Sequence, residues 1–137
     1  MRPRPGWRGR PGFAPRDRGA LTLSYVIIVP VFLLSLMVIA QAAMWFLARS
    51  AALAAARQGV DAARIQGASA GAGTTAALTF AQTSAAGYLL SPAASTGGSS
   101  ATTIVITVTG RVPSLVPGVP ITVSQVAQAP AERFTTP

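Results

Sequence analysis

Side chains that usually carry out catalysis are scarce in this sequence. Lysine, histidine and cysteine are absent, which excludes thiolate and imidazole metal ligands, cysteine nucleophiles and a histidine general base. The acidic residues are Asp17, Asp61 and Glu132, and they lie far apart in the chain. Serines and threonines are plentiful, but no neighbouring base is present to activate them. The pattern predicts a protein that is not an enzyme and has no catalytic residue, metal site or cofactor.

The arginines are concentrated at the start of the chain. Residues 1–19 hold six of the eleven basic residues and one acid, so most of the net charge of +8 lies in this arm. Four prolines in the arm oppose a regular helix and predict an extended, disordered segment. Because basic residues beside an apolar run stay in the cytoplasm, we interpret Arg10, Arg16 and Arg18 as topology determinants. Nucleic-acid binding by the arm is a weaker alternative, since only its charge supports it.

The next segment, Ala20–Ala48, is apolar and contains no charged residue. Thr22, Ser24, Ser35 and Gln41 are its clearly polar members. As a helix the segment would be about 40 Å long, whereas a bilayer core needs about 30 Å. Trp45 near its end and Arg49 just after it are typical of a membrane interface. We therefore predict a single-pass membrane helix, with the N-terminus cytoplasmic and the C-terminus extracytoplasmic.

A cleaved secretory signal is the main alternative. Ala40-Gln41-Ala42 matches an A-x-A cleavage site, and the product would be a secreted envelope binding module. The apolar run is much longer than the 7–15 residues typical of a signal, however, and it continues to Leu47. This favours retention in the membrane.

Residues 49–137 are predicted to form a small extracytoplasmic region. Alanine-rich sequence should extend the membrane helix to about Ile65. Its small-residue stripe, which permits close helix packing, excludes the charged residues of this segment. The members of the stripe are Leu53, Ala56, Val60 and Ala63. The composition then predicts a linker over 67–73 and a second, weaker helix over 74–90, with Thr74 or Thr75 as N-cap and Gly87 fraying its end.

The C-terminal part has the pattern of a β-hairpin. Residues 91–101 are rich in Ser, Gly and Ala and predict a flexible loop. Alternating β-branched residues predict strands over 102–112 and 121–126, joined by a turn rich in proline. One apolar face of this antiparallel hairpin should lie on the helix, and the tail from Ala129 should be irregular. The predicted fold class is α+β, with a leader at 1–19, a transmembrane helix at 20–48 and an outer region at 49–137.

From Arg18-Gly19-Ala20 onward the chain resembles the TadE/TadG family of pilin-like proteins, which belongs to the Tad branch of type IV pilus machinery. Gly19 and Pro30 have the spacing seen in that family, and Tyr25 occupies its aromatic position. The alanine-rich continuation after Arg49 and the ending IVITVTGRVPSLVPGVPITVS are also similar. The resemblance covers most of residues 18–134.

The resemblance implies a structural minor pilin or pseudopilin of a Tad-type pilus or secretion apparatus. A prepilin peptidase would cut after Gly19 and free the amine of Ala20. Implied partners are the bilayer, the peptidase and other pilins or Tad assembly proteins. Nucleic acid stays the weaker alternative named above, and no small-molecule substrate is expected. The family usually has a glutamate before the aromatic residue, where this chain has Ser24. Ser24, Tyr25 and Pro30 are thus the assembly-motif positions.

Overall fold

A computed structural model describes residues 17–65 and 69–131, with side chains described from Ser24 onward. The chain forms two compact units, divided after Leu36. The described part of the first unit is the beginning of helix α1, which runs from Asp17 to Ala63 and passes through Pro30. The predicted continuation of the apolar helix toward Ile65 is confirmed.

Helix α2 spans Ala70–Ser84 and starts earlier than the sequence indicates. Its N-cap is Ser69, whose hydroxyl accepts a hydrogen bond from the backbone N–H of Ala72 at 3.2 Å. The predicted N-caps, Thr74 and Thr75, instead lie within the helix and donate to the carbonyl of Gly71. The prediction of a linker up to Gly73 was therefore wrong, because a capping serine outweighs the low helix propensity of the glycines.

The end of α2 and the following segment also differ from the prediction. The helix ends at Ser84, before Gly87, and strand β1 follows over Leu90–Ser95. The predicted flexible loop over 91–101 is thus partly a strand. Pairing with the next strand accounts for this, although the register shifts between Leu90 and Ala93.

Strands β2 and β3 form the predicted antiparallel hairpin. β2 spans Thr103–Val112 and β3 spans Ile121–Pro130, so β3 is longer than predicted and includes the start of the supposed tail. The sheet is three-stranded and antiparallel in the order β1-β2-β3. The predicted α+β class is confirmed.

The core of the second unit is built mainly from small side chains. Alternate residues of β2, including Ile106 and Val108, are fully buried against the helices. The stripe on α1 is confirmed at Ala56, Val60 and Ala63, while Leu53 is only half-buried. The hairpin face thus packs on the helix, as predicted, because Gly59 of α1 brings the backbone next to the side chain of Ile106.

Candidate membrane anchor and assembly motif

The first half of α1 presents an apolar surface that is exposed in the described part of the chain. Among the described residues, α1 is the one helix that is long and apolar enough to cross a membrane, and the candidate span is Ser24–Ala63. Its most apolar window has a mean hydropathy of 2.5, and none of that window is buried. A core helix of a soluble protein would be mostly buried, so this helix is a candidate membrane anchor.

Two polar side chains of the apolar stretch, Ser35 and Gln41, have hydrogen-bond partners within the protein. Ser35 donates its hydroxyl to the carbonyl of Phe32 at 2.7 Å, within its own helix. Gln41 reaches the turn between β2 and β3, where its Oε1 accepts the N–H of Leu115 at 2.8 Å. Its Nε2 donates to the carbonyl of Pro113 at 3.3 Å. An apolar solvent requires such internal pairing.

The boundary of the exposed stretch is marked by an aromatic–basic cluster. The Arg49 guanidinium lies 5.5 Å from the centre of the Trp45 ring, within cation–π range. Trp45 also packs edge-on against Phe46, with 6.0 Å between ring centres. The first fully buried residue of α1 in the core of the second unit is Ala48, and Met44 just before the cluster already packs partly against that core. The helix therefore changes from an exposed apolar segment to a packed element over the residues from Gln41 to Ala48.

The assembly-motif positions lie on the exposed part of α1. Ser24 is exposed, Tyr25 is 65% exposed, and Pro30 is an exposed residue inside the helix. Gly19 and Ala20 belong to the first turns of the same helix. The side chain of Arg18 and the whole of Arg10 and Arg16 lie outside the described residues.

Charged groups of the outer region form a solvated surface pair. Asp61 and Arg64 lie one helical turn apart, with 3.5 Å between a carboxylate oxygen and Nε. Both side chains are largely exposed, and such pairs contribute at most about 1 kcal/mol. Glu132 lies outside the described residues.

The contact that sequence reasoning missed is the one between Gln41 and the turn. A lone amide in an apolar helix signals that a polar partner is needed, but not where in the chain the partner lies. Here the partners are more than seventy residues away. The sequence thus indicated that Gln41 needs a polar partner but did not identify the 113–120 turn as that partner.

The architecture and the exposed helix together define an α+β protein that has, among its described residues, one candidate membrane anchor near the N-terminus. The model of the TadE-like protein family matches residues 19–61, which confirms the predicted resemblance over that segment. The match fits a component of a Tad pilus and points to association with other Tad pilus components. No curated protein and no solved structure matches the chain.

Proposed function

We propose that this protein is a membrane-anchored, non-enzymatic minor pilin or pseudopilin of a Tad-type pilus or secretion apparatus. One observation carries the proposal: the TadE-like match coincides with the exposed apolar part of α1 and its packed continuation. A helix with these two halves suits a protein that sits in lipid at one end and carries a folded outer region at the other.

The charge distribution supports an N-terminus in the cytoplasm. The arginines of the leader lie immediately before the apolar stretch, and positive residues resist transfer across the membrane. At the other end, Trp45 and Arg49 form the aromatic–basic pair typical of an interface. In this orientation residues 49–137 are extracytoplasmic.

Processing after Gly19 is implied by the resemblance to the TadE family and is compatible with this charge arrangement. A prepilin peptidase acting at the cytoplasmic face would remove the arginine-rich leader and leave a mature chain that begins at Ala20. Losing five net positive charges removes the main electrostatic barrier to moving α1 outward. Cleavage at this bond is thus a physical release step for assembly.

The proposed partners are other pilins or Tad assembly proteins that pack against α1. The exposed apolar face offers extensive surface for helix packing, in lipid or in a filament. The proposed role needs no small-molecule substrate, cofactor or nucleic acid.

Ser24 restricts where in a filament the protein would act. A glutamate at this position would offer a charge to the free amine of a neighbour, an attraction that lipid strengthens. Serine offers a hydroxyl but no charge. We therefore favour a tip, initiating or accessory role over repeated incorporation along a shaft.

Intact mass measurement of the mature protein tests the processing step. The full chain is expressed with a prepilin peptidase, and the membrane-bound product should begin at Ala20. Gly19→Leu should block cleavage, whereas the matched change Gly9→Leu, ten residues earlier in the leader, should not. A leader that remains on all of the wild-type protein would refute the processing step.

The same measurement distinguishes the secreted-module alternative. Cleavage after Ala42 would give a soluble chain beginning at Ala43. It would also remove Gln41, whose side chain pairs with two backbone groups of the outer region. This loss of an internal contact makes the secreted module the weaker candidate.

A further inference from the structure

The turn between β2 and β3, residues 113–120, has an unusual composition for a surface loop. It contains three prolines and no charged residue, and its exposed side chains include Leu115, Val116 and Val119. Each of these three is 43–49% exposed. Turns in water are normally rich in polar residues, so an uncharged apolar turn suggests contact with a less polar environment.

The position of this turn is fixed by Gln41. The side chain of Gln41 binds the turn at Pro113 and Leu115. Gln41 precedes Arg49 by eight residues, which is about 12 Å along a helix axis. The 113–120 turn therefore lies beside the uncharged stretch of α1, on the N-terminal side of Arg49.

The backbone of the turn is also prepared for an apolar environment. Its three prolines have no N–H to satisfy. Ser114 uses its hydroxyl twice, accepting from the N–H of Val116 and donating to the carbonyl of the same residue. The N–H of Val119 donates to that carbonyl at 3.4 Å. Pairing of these polar groups lowers the free-energy cost of moving the turn from water to a less polar interface.

Charge appears again just beyond the turn. Arg111 is exposed and lies two residues before Pro113, which is about 7 Å along a strand. An arginine at this distance from an apolar tip can place its guanidinium among lipid headgroups. In both places an arginine lies next to an apolar segment: Arg111 next to the turn, and Arg49 next to Phe46 on α1.

We infer that the 113–120 turn enters the outer interface of the bilayer that holds α1 and makes a second contact with lipid. The inference rests on the proposed membrane anchor. Lipid is favoured over a protein partner because Gln41 holds the turn against the same uncharged helix surface that the bilayer would cover. The two contacts together would fix the orientation of the outer region above the membrane.

Site-specific fluorescence quenching tests this inference. Because the chain has no cysteine, single-cysteine variants can carry an environment-sensitive NBD label in the full-length protein. The variants are Leu115→Cys in the turn, Phe32→Cys in the apolar helix and Gly97→Cys in the opposite turn of the sheet. Gly97 is a matched control because a side chain there meets no atom within 4 Å. Each is reconstituted into phosphatidylcholine vesicles with and without doxyl-labelled lipid.

The inference predicts that doxyl lipid quenches the labels at 32 and 115 severalfold more than the label at 97. Quenching at 32 but not at 115 would overturn the lipid contact and leave the anchor intact, with the turn facing water or a protein. Absence of quenching at 32 would refute the anchor itself. Equal quenching at 97 and 115 would also overturn the inference, because the turn would then be no special contact.

Discussion

Two glycines allow the backbones of the helices to meet. A Cβ atom built on Gly59 of α1 would lie 2.7 Å from the carbonyl oxygen of Gly73 on α2. A Cβ on Gly73 would lie equally close to the carbonyl oxygen of Gly59. Real side chains do not tolerate such distances to backbone atoms, so glycine is required at both positions by space and not by backbone conformation.

We predict that Gly73→Ala destabilises the outer region. The added methyl group must push the helices apart, at a cost of about 1–3 kcal/mol. Gly71→Ala, two residues earlier in α2, is the control, because its Cβ would meet only ordinary contacts and alanine favours a helix. Thermal unfolding in detergent micelles measures both. Equal melting temperatures for the two variants would contradict the close approach.

The second residue-scale prediction concerns Gln41. Replacing it with leucine leaves the N–H of Leu115 and the carbonyl of Pro113 without their partner. Each of these partly exposed hydrogen bonds contributes about 0.5–1.5 kcal/mol. We therefore expect the amide of Leu115 to exchange its hydrogen faster in Gln41→Leu. Gln58→Leu, an exposed position on the same helix, should leave that exchange unchanged. An unaltered rate in Gln41→Leu would show that the contact does not hold the turn.

At the scale of elements, strand β2 was predictable because it is rich in β-branched residues, and the structure buries every second residue, all of them Ile, Val or Gly. Strand β1 was not, because its sequence LSPAAS contains no β-branched residue and one proline. It becomes a strand by pairing with β2, which local sequence does not reveal. Similarly, the start of α2 depends on Ser69 and on close packing at Gly73.

We predict that Ser69→Ala weakens the start of α2. Loss of the hydroxyl that accepts the N–H of Ala72 should cost about 1 kcal/mol. The effect should appear as faster hydrogen exchange at Ala72. Ser84→Ala, at the last residue of the same helix, provides the comparison and should not change that exchange. If both serine variants behaved alike, Ser69 would not be the cap.

At the scale of the whole molecule, the sequence predicted the long apolar helix well and the contact between Gln41 and the 113–120 turn not at all. An uncharged run flanked by arginines is a local signal of membrane insertion. The Gln41 contact joins residues separated by more than seventy positions, so only the folded chain shows it. The leader residues and the processing bond remain predictions from the sequence and its resemblance.

Ser24→Glu should increase recovery of the protein in sheared pili. A carboxylate at this exposed position could pair with the free amine of Ala20 in a neighbouring subunit, and a low dielectric makes that attraction strong. Quantitative mass spectrometry of sheared filaments measures the change, which should be severalfold. Ser24→Gln is the neutral control of the same size and should resemble wild type. An equal gain for glutamine would show that charge is not responsible.

The central claim is that α1 holds this protein in a bilayer. Membranes from cells that express the full chain are washed with alkaline carbonate and floated in a density gradient, and the intact mass is measured in each fraction. The account predicts that the protein floats with the lipid and retains every residue from Ala20 onward. A soluble product that begins at Ala43 would contradict it, because the exposed apolar helix would then have been a removed signal.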